Sequence, residues 1–359
     1  MVYLDYAATT PMLPDVLLTM THAHMNLSAN ASALHTPGHR ALNEIEHTRE
    51  LLATAIGAKP SEIIFTSGAS ESNNTVIRTF AGHEIETSPL EHHSILEPAK
   101  QFAGKKTPKL YSYMLANNET GEILDLSKIV EQARAENAYV HSDLTQVLGK
   151  IPLNVHELGL DYATVSAHKI GGPAGVGALY VRDGAPFSPL IIGGNQEHGR
   201  RGGTYNTAGI AGFGTALEIM LKKQTWQKFD REVRALRDDL ARRLLQKIPG
   251  CSLNTDISPG RSLPNILNAS FRAAEGESIQ LYLDAKGIIV STGSACAAGD
   301  TKPSHVLMAK TGDAEVAHSS IRFSFGLDNT RADVDKVMTV LPPIVKYLQQ
   351  ISTINPEDK

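Results

Sequence analysis

Four stretches of this sequence carry residue types that do chemistry. Ser166-Ala167-His168-Lys169 runs into the glycine-rich Gly171-Gly172-Pro173-Ala174-Gly175-Val176-Gly177. A lysine just past a strand end, its backbone held by glycines, projects into a site at the carboxyl edge of a sheet. Partial desolvation lowers its pKa and makes it a nucleophilic amine suited to a Schiff base. The plain alternative is a solvated surface lysine beside a Gly-rich loop. Asp143, in His141-Ser142-Asp143-Leu144-Thr145-Gln146, ends another expected strand. A carboxylate there can pair with a protonated pyridine nitrogen, and Gln146 can reach an oxygen of the same ring. Otherwise Asp143 caps the helix that follows.

The third stretch is Thr66-Ser67-Gly68-Ala69-Ser70-Glu71-Ser72-Asn73-Asn74. Small residues join a strand to a helix N-terminus, where N–H groups and the helix dipole favour a phosphate. No Gly-Lys-Ser/Thr follows, so it is not a Walker loop, and ordinary capping competes with the phosphate reading. The fourth is Ser291-Thr292-Gly293-Ser294-Ala295-Cys296-Ala297-Ala298-Gly299, a thiol among small residues. A thiol on a mobile loop suits a nucleophile that travels between substrate and partner; a buried inert cysteine is the alternative. Cys251, after Pro249-Gly250, fits that alternative better and is given no role.

The elements that must position these groups alternate between strand and helix, which predicts an α/β fold with a largely parallel sheet. Residues 38–56 read as a helix stopped by Gly57, and 62–66, 138–142 and 162–166 as strands. An amphipathic helix is expected from Trp226 to Ile248, and the domain change lies near it. Beyond it, strands are expected at 265–271, 288–291 and 320–324 and a helix at 277–285. The final helix starts with Thr330 as N-cap and Asp333 three residues on. Pro342-Pro343 is expected to kink or break that helix.

Composition excludes several classes. The 359 residues are 42% apolar and 20% charged, with a net charge of -4. Disorder as a class is excluded, as is a strong sequence-independent grip on nucleic acid. Two cysteines make a disulfide framework implausible and exclude a zinc site built on cysteine pairs. No signal peptide or membrane span is visible, and a reducing cytoplasm is expected.

Taken in order, these stretches resemble the cysteine desulfurases of the NifS/IscS type, pyridoxal 5'-phosphate (PLP) enzymes of the aspartate-aminotransferase fold. The resemblance rests on 3–11, 65–74, Glu91-His92, Asn117-Asn118-Glu119-Thr120-Gly121, 141–146, Ser166–Lys169, Arg201-Gly202-Gly203-Thr204, Ser294-Ala295-Cys296 and 318–324. It implies PLP fold type I, with a large PLP-binding domain at 12–228. Residues 1–11 and 229–359 would form a smaller domain carrying the cysteine loop. It implies Lys169 as the imine-forming lysine and proton carrier, His92 stacked on the ring, Asp143 on the ring nitrogen and Gln146 on the phenolic oxygen. Ala69, Ser70, Ser166 and His168 would hold the phosphate, with Thr204 from the other subunit of a homodimer. Asn118 and Arg322 would bind the carboxylate of L-cysteine, an arginine fork suiting that task. Cys296 would take the sulfur as a persulfide and pass it to an iron–sulfur scaffold or a tRNA-thiolation protein, releasing alanine. A selenocysteine lyase, an aminotransferase and a non-catalytic sulfur-relay scaffold are the alternatives. The sequence departs from the family's pattern at Ser70 (usually Thr), at Gly171 (often a larger residue), and at Asn30-Ala31-Ser32 (no proline). A strand–helix excursion is expected to be missing between His92 and Asn118.

Overall fold

The structure, a computed structural model, describes residues 1–292 and 303–353. It divides into a larger unit, Thr10–Leu115 with Leu124–Trp226, and a smaller one, Met1–Thr9 with Ala116–Ile123 and Gln227–Lys359. The sequence reading keeps all of 12–228 together, whereas here Ala116–Ile123 belongs to the smaller unit. That segment doubles back on itself through an Ala116–Ile123 bridge. Its carbonyls are taken by the smaller unit: Thr255 Oγ1 donates to Thr120 O at 2.7 Å and Leu263 N to Gly121 O at 2.8 Å.

The larger unit is built on six strands in the order Ile63–Thr66, Gly177–Val181, Tyr162–Ser166, Tyr139–Asp143, Lys106–Ser112 and His83–Thr87. Gly177–Val181 is antiparallel to both neighbours, and the remaining pairs are parallel. Five strands therefore end at one edge, where an α/β sheet offers its ligand crevice. The Ile63–Thr66, Tyr162–Ser166 and Gly177–Val181 strands are buried throughout, as expected of strands covered on both faces. Ile64, Ile77, Phe80, Ile95, Leu110, Tyr162 and Leu179 form one apolar cluster between the sheet and its helices. Residues between His92 and Asn118 supply the His93–Phe102 helix and then directly the Lys106–Ser112 strand.

The expected helix at 38–56 spans Thr36–Ile56, burying Ala41, Ile45, Leu52 and Ile56, and ends at Gly57 with φ 70°. Gly171 is a second glycine the backbone demands. It sits at φ +81°, and a Cβ there would lie 2.6 Å from Leu13 Cγ. A larger residue after Lys169-Ile170 would be strained at this position.

The smaller unit has an antiparallel sheet of Ser320–Ser324, Ile266–Phe271 and Cys251–Leu253, and a parallel pair Val2–Tyr3 with Ile288–Ile289. The expected 226–248 helix contains a π turn, Phe229–Val233, before Arg234–Lys247. The final helix is not broken at its prolines: Arg331–Ile351 continues through Pro342 and Pro343. Each proline removes one helical N–H bond. Burial of Val334, Val337, Met338, Leu341, Val345 and Leu348 along one face outweighs that loss. The expected N-terminal cap is present, Thr330 N donating to Asp333 Oδ2 at 2.8 Å. No helix among the described residues is long and apolar enough to cross a membrane.

Candidate active site

The turn after the Ile63–Thr66 strand enters the Ala69–Thr79 helix through Gly68 at φ 151°. Nothing lies within 4 Å of the place its Cβ would occupy, so the turn opens onto free space. The amides of Ala69 and Ser70 begin the helix and have no acceptor within it. Gly177 lies beneath the turn; a Cβ there would meet Gly68 Cα and Val165 O at 2.7 Å each. Arg201 clasps Glu71 with Nε to Oε1 at 3.0 Å and Nη2 to Oε2 at 3.2 Å, and Ser67 N donates to the same carboxylate at 2.8 Å. Desolvation works against the charged form, yet these bonds hold Glu71 below the usual carboxylate range. Thr204 lines a cavity of about 180 Å³ together with Thr66, Ser67, Arg201 and Tyr205.

Asp143 ends its strand buried, 9% exposed. Its Oδ1 accepts from Thr145 N at 2.9 Å and its Oδ2 from Asn73 Nδ2 at 2.9 Å. Asn73 Nδ2 also donates to Ser94 Oγ at 2.9 Å, and Ser94 Oγ lies 2.8 Å from His92 Nδ1. His92 is the N-cap of the His93–Phe102 helix, its Nδ1 accepting from Ser94 N at 3.1 Å. The structure thus joins His92 to Asp143, two residues that the sequence read separately, through two residues it did not single out. Glu91 is fully buried and accepts from Met114 N at 2.7 Å. Desolvation, with Asp143 nearby, raises its carboxyl well above the usual range.

Lys169 lies in a 3-10 turn, Ala167–Ile170, directly after Ser166. The turn is pinned from outside: Thr10 N donates to His168 O and Thr10 Oγ1 to Lys169 O, both at 3.0 Å. Burial, with the charges of Lys169 and Lys150, pushes His168 down to about 4. Lys150 is itself 3% exposed and donates Nζ to Gln146 Oε1 at 3.3 Å. Lys150 follows Gln146 by four positions in a stretch of turns, and nothing in its residue type predicts burial.

In the smaller unit the structure brings Asn118 and Arg322 together. Arg322 donates Nη1 to Asn118 O at 3.0 Å and Nη2 to Asp5 Oδ1 at 2.8 Å. Its Nε is buried with no partner among the described residues. Its backbone pairs with Ser291, N to O at 2.6 Å. Cys296 lies outside the described residues. Cys251, given no role, starts a strand half-buried, and desolvation pushes its thiol up to about 12.

The comparisons settle the lineage. The family model described as Aminotransferase class-V matches residues 2–110 and 104–337. A cysteine desulfurase IscS of Dictyoglomus turgidum is 42% identical, covering 100% of this chain and 98% of the relative. The chain belongs to the cysteine desulfurases of the class-V aminotransferase family. The NifS-like protein of Rickettsia africae superposes with a TM-score of 0.88 at 32% identity, over 96% of this chain and 99% of that one. A structure titled SspA in complex with cysteine superposes with a TM-score of 0.78 at 31% identity, over 90% of this chain and 99% of that one. The alignment with the Dictyoglomus relative spans 392 positions against this chain's 359 residues, so that relative carries extra positions. Enzymes of this family depend on PLP, and the larger unit fits it. The Gly68 turn leaves the open space a phosphate needs. Asp143 has N–H donors on both oxygens, as suits a carboxylate facing a protonated ring nitrogen. Thr145 Oγ1 beside it is buried without a partner among the described residues.

Proposed function

We propose that this enzyme takes sulfur from L-cysteine, releases L-alanine, and carries the sulfur as a persulfide on Cys296 to an acceptor protein. The observation that carries the reading is the convergence of the Gly68 turn, Asp143 and Lys169 at the carboxyl ends of strands of one sheet. Membership of the family and the cysteine-bound relative support the choice of substrate.

Bound PLP supplies an electron sink that lets the substrate Cα lose its proton and the Cβ–S bond break. Lys169 would tether the cofactor and move protons through Nζ. Asp143 would hold the ring nitrogen, Gln146 the phenolic oxygen, and His92 would face the ring. Ala69, Ser70, Ser166 and His168 would hold the phosphate, with Thr204 of a second copy. His168, whose pKa burial holds below the ordinary histidine range, would serve as a hydrogen-bonding group. Arg322 and Asn118 orient the substrate carboxylate. The Cys296 thiolate would attack the substrate sulfur; the S–S bond forms as the Cβ–S bond breaks, its electron pair goes to the carbon side, and protons at Cβ and, returned through Lys169 Nζ, at Cα complete alanine.

The homodimer is supported by the apolar surface of the larger unit. Leu17, Leu18 and Met25 of the Pro14–Asn26 helix are 57%, 67% and 76% exposed, and Ile192 is 88% exposed. For the acceptor we propose an iron–sulfur scaffold or a tRNA-thiolating protein, and the cytoplasm as the compartment. The test is to incubate the purified protein with PLP and L-cysteine, then measure alanine and the mass of the Cys296 peptide. Alanine together with one added sulfur atom on that peptide is expected. Amino transfer to a keto acid, with no sulfur on Cys296, would identify an aminotransferase instead.

A further inference from the structure

We propose that Asn73 and Ser94 form a one-way hydrogen-bond relay from Asp143 to His92 that fixes His92 with its proton on Nε2 and steadies the Asp143 carboxylate. The inference rests on the reading of Asp143 and His92 as cofactor-facing residues.

The direction of every bond follows from donor and acceptor capacity. Asn73 Nδ2 has two hydrogens and uses both, one on Asp143 Oδ2 and one on Ser94 Oγ, each at 2.9 Å. Turning the amide over would place its oxygen against the carboxylate, acceptor facing acceptor. The orientation is kept although it leaves Asn73 Oδ1 buried with no partner among the described residues. An amide fully buried at 0% exposure that forgoes its acceptor is there for its donors. Ser94 Oγ accepts from Asn73 and lies 2.8 Å from His92 Nδ1; with the Ser94 amide also aimed at that nitrogen, the hydroxyl hydrogen is the one that meets it. The Ser94 N–H points to the same nitrogen at 3.1 Å. Two donors converge on Nδ1, which must therefore carry a lone pair, and the neutral ring bears its hydrogen on Nε2. A ring with Nδ1–H would face the Ser94 amide hydrogen head-on.

Asn73 and Ser94 are positioning residues: they act through Asp143 and His92. Four variants test them as PLP-loaded protein labelled with [15N]histidine, the His92 signals being assigned by their loss in His92→Gln. Wild type and Ser94→Thr should show the Nε2–H form of His92. Ser94→Ala should raise the share of Nδ1–H severalfold and lower kcat about fivefold, with KM for cysteine and PLP affinity within twofold of wild type. Asn73→Leu, close in volume but without donors, should weaken PLP binding about tenfold, as for one lost hydrogen bond to a charged group. Asp143→Asn is the control for the site itself. If Asp143→Asn weakens PLP binding and Asn73→Leu does not, the Asn73 arm is overturned. If His92 keeps its tautomer in Ser94→Ala, the Ser94 arm is overturned. If Asp143→Asn binds PLP as wild type does, the reading of the site fails, and the tautomer measurement still decides the relay. Should Asn73→Leu fail to fold, shown by its melting curve, the Ser94 pair carries the test.

Discussion

Two charged groups, one in each unit, are held in opposite ways. Asp143, in the larger unit, is gripped by neutral donors, the Thr145 amide and the Asn73 side chain. Arg322, in the smaller unit, is gripped by an acid, Asp5, and by a carbonyl. Neutral donors leave a carboxylate its full charge for a cationic partner. An acid shares the arginine's charge, so under the proposed reading a substrate carboxylate would meet a cation that is already partly matched. On that proposal the contrast would suit a cofactor held firmly and a substrate that comes and goes.

Removing Asp143 should have the largest effect. Asp143→Ala is expected to lower PLP affinity by two to three orders of magnitude, as for truncating one partner of a buried charge pair, read by equilibrium titration of the cofactor absorbance. Arg322→Ala should raise KM for cysteine about a hundredfold while leaving the absorbance of bound PLP unchanged. A change in PLP absorbance would erase the division of labour between the two groups. Asp5→Asn probes the shared charge. It should lower KM about two- to threefold and drop the melting temperature by several degrees, since it removes the partner of a buried guanidinium. A raised KM would mean that Asp5 orients Arg322 more than it neutralises it.

The smallest effect concerns Glu91, whose carboxyl is raised by burial. Above the unfolded carboxyl midpoint of about 4.3 the unfolded chain has lost a proton that the folded chain retains. Stability contributed here therefore falls as pH rises through that window. Glu91→Gln keeps an oxygen for Met114 N and removes the titration. It should melt a few degrees higher than wild type at pH 7 and show a smaller difference near pH 4, measured by calorimetry.

Three of the six strands of the larger sheet were legible because they are runs of β-branched and aromatic residues next to small-residue turns, such as Ile63-Ile64-Phe65-Thr66; His83–Thr87, Lys106–Ser112 and Gly177–Val181 were not. Asp143, Lys169 and the Gly68 turn were legible because each sits where a strand ends. Asn73 and Ser94 were not: one lies in the first turns of its helix and the other just after a capping histidine, and their partners are 21 and 70 positions apart along the chain. Lys150 was invisible for a similar reason, since a lysine is by default a surface residue. The membership of Ala116–Ile123 in the smaller unit depends on Thr255 and Leu263, more than a hundred residues away. That Pro342 and Pro343 do not break their helix was not legible, because the buried face that holds it together lies in the tertiary packing.

The stacking of Gly68 on Gly177 has a bearing on redesign. The obstacle to a methyl group at 177 is main chain on both sides, which has no rotamer to yield. Gly68, by contrast, faces vacancy and is limited only by its torsion angle. If the proposed phosphate site is right, a library built to accept a bulkier or differently charged cofactor tail should therefore randomise the rim at Ser67 and Ser70. It should keep position 177 invariant, because a side chain there would lift the whole turn away from the strand that carries it.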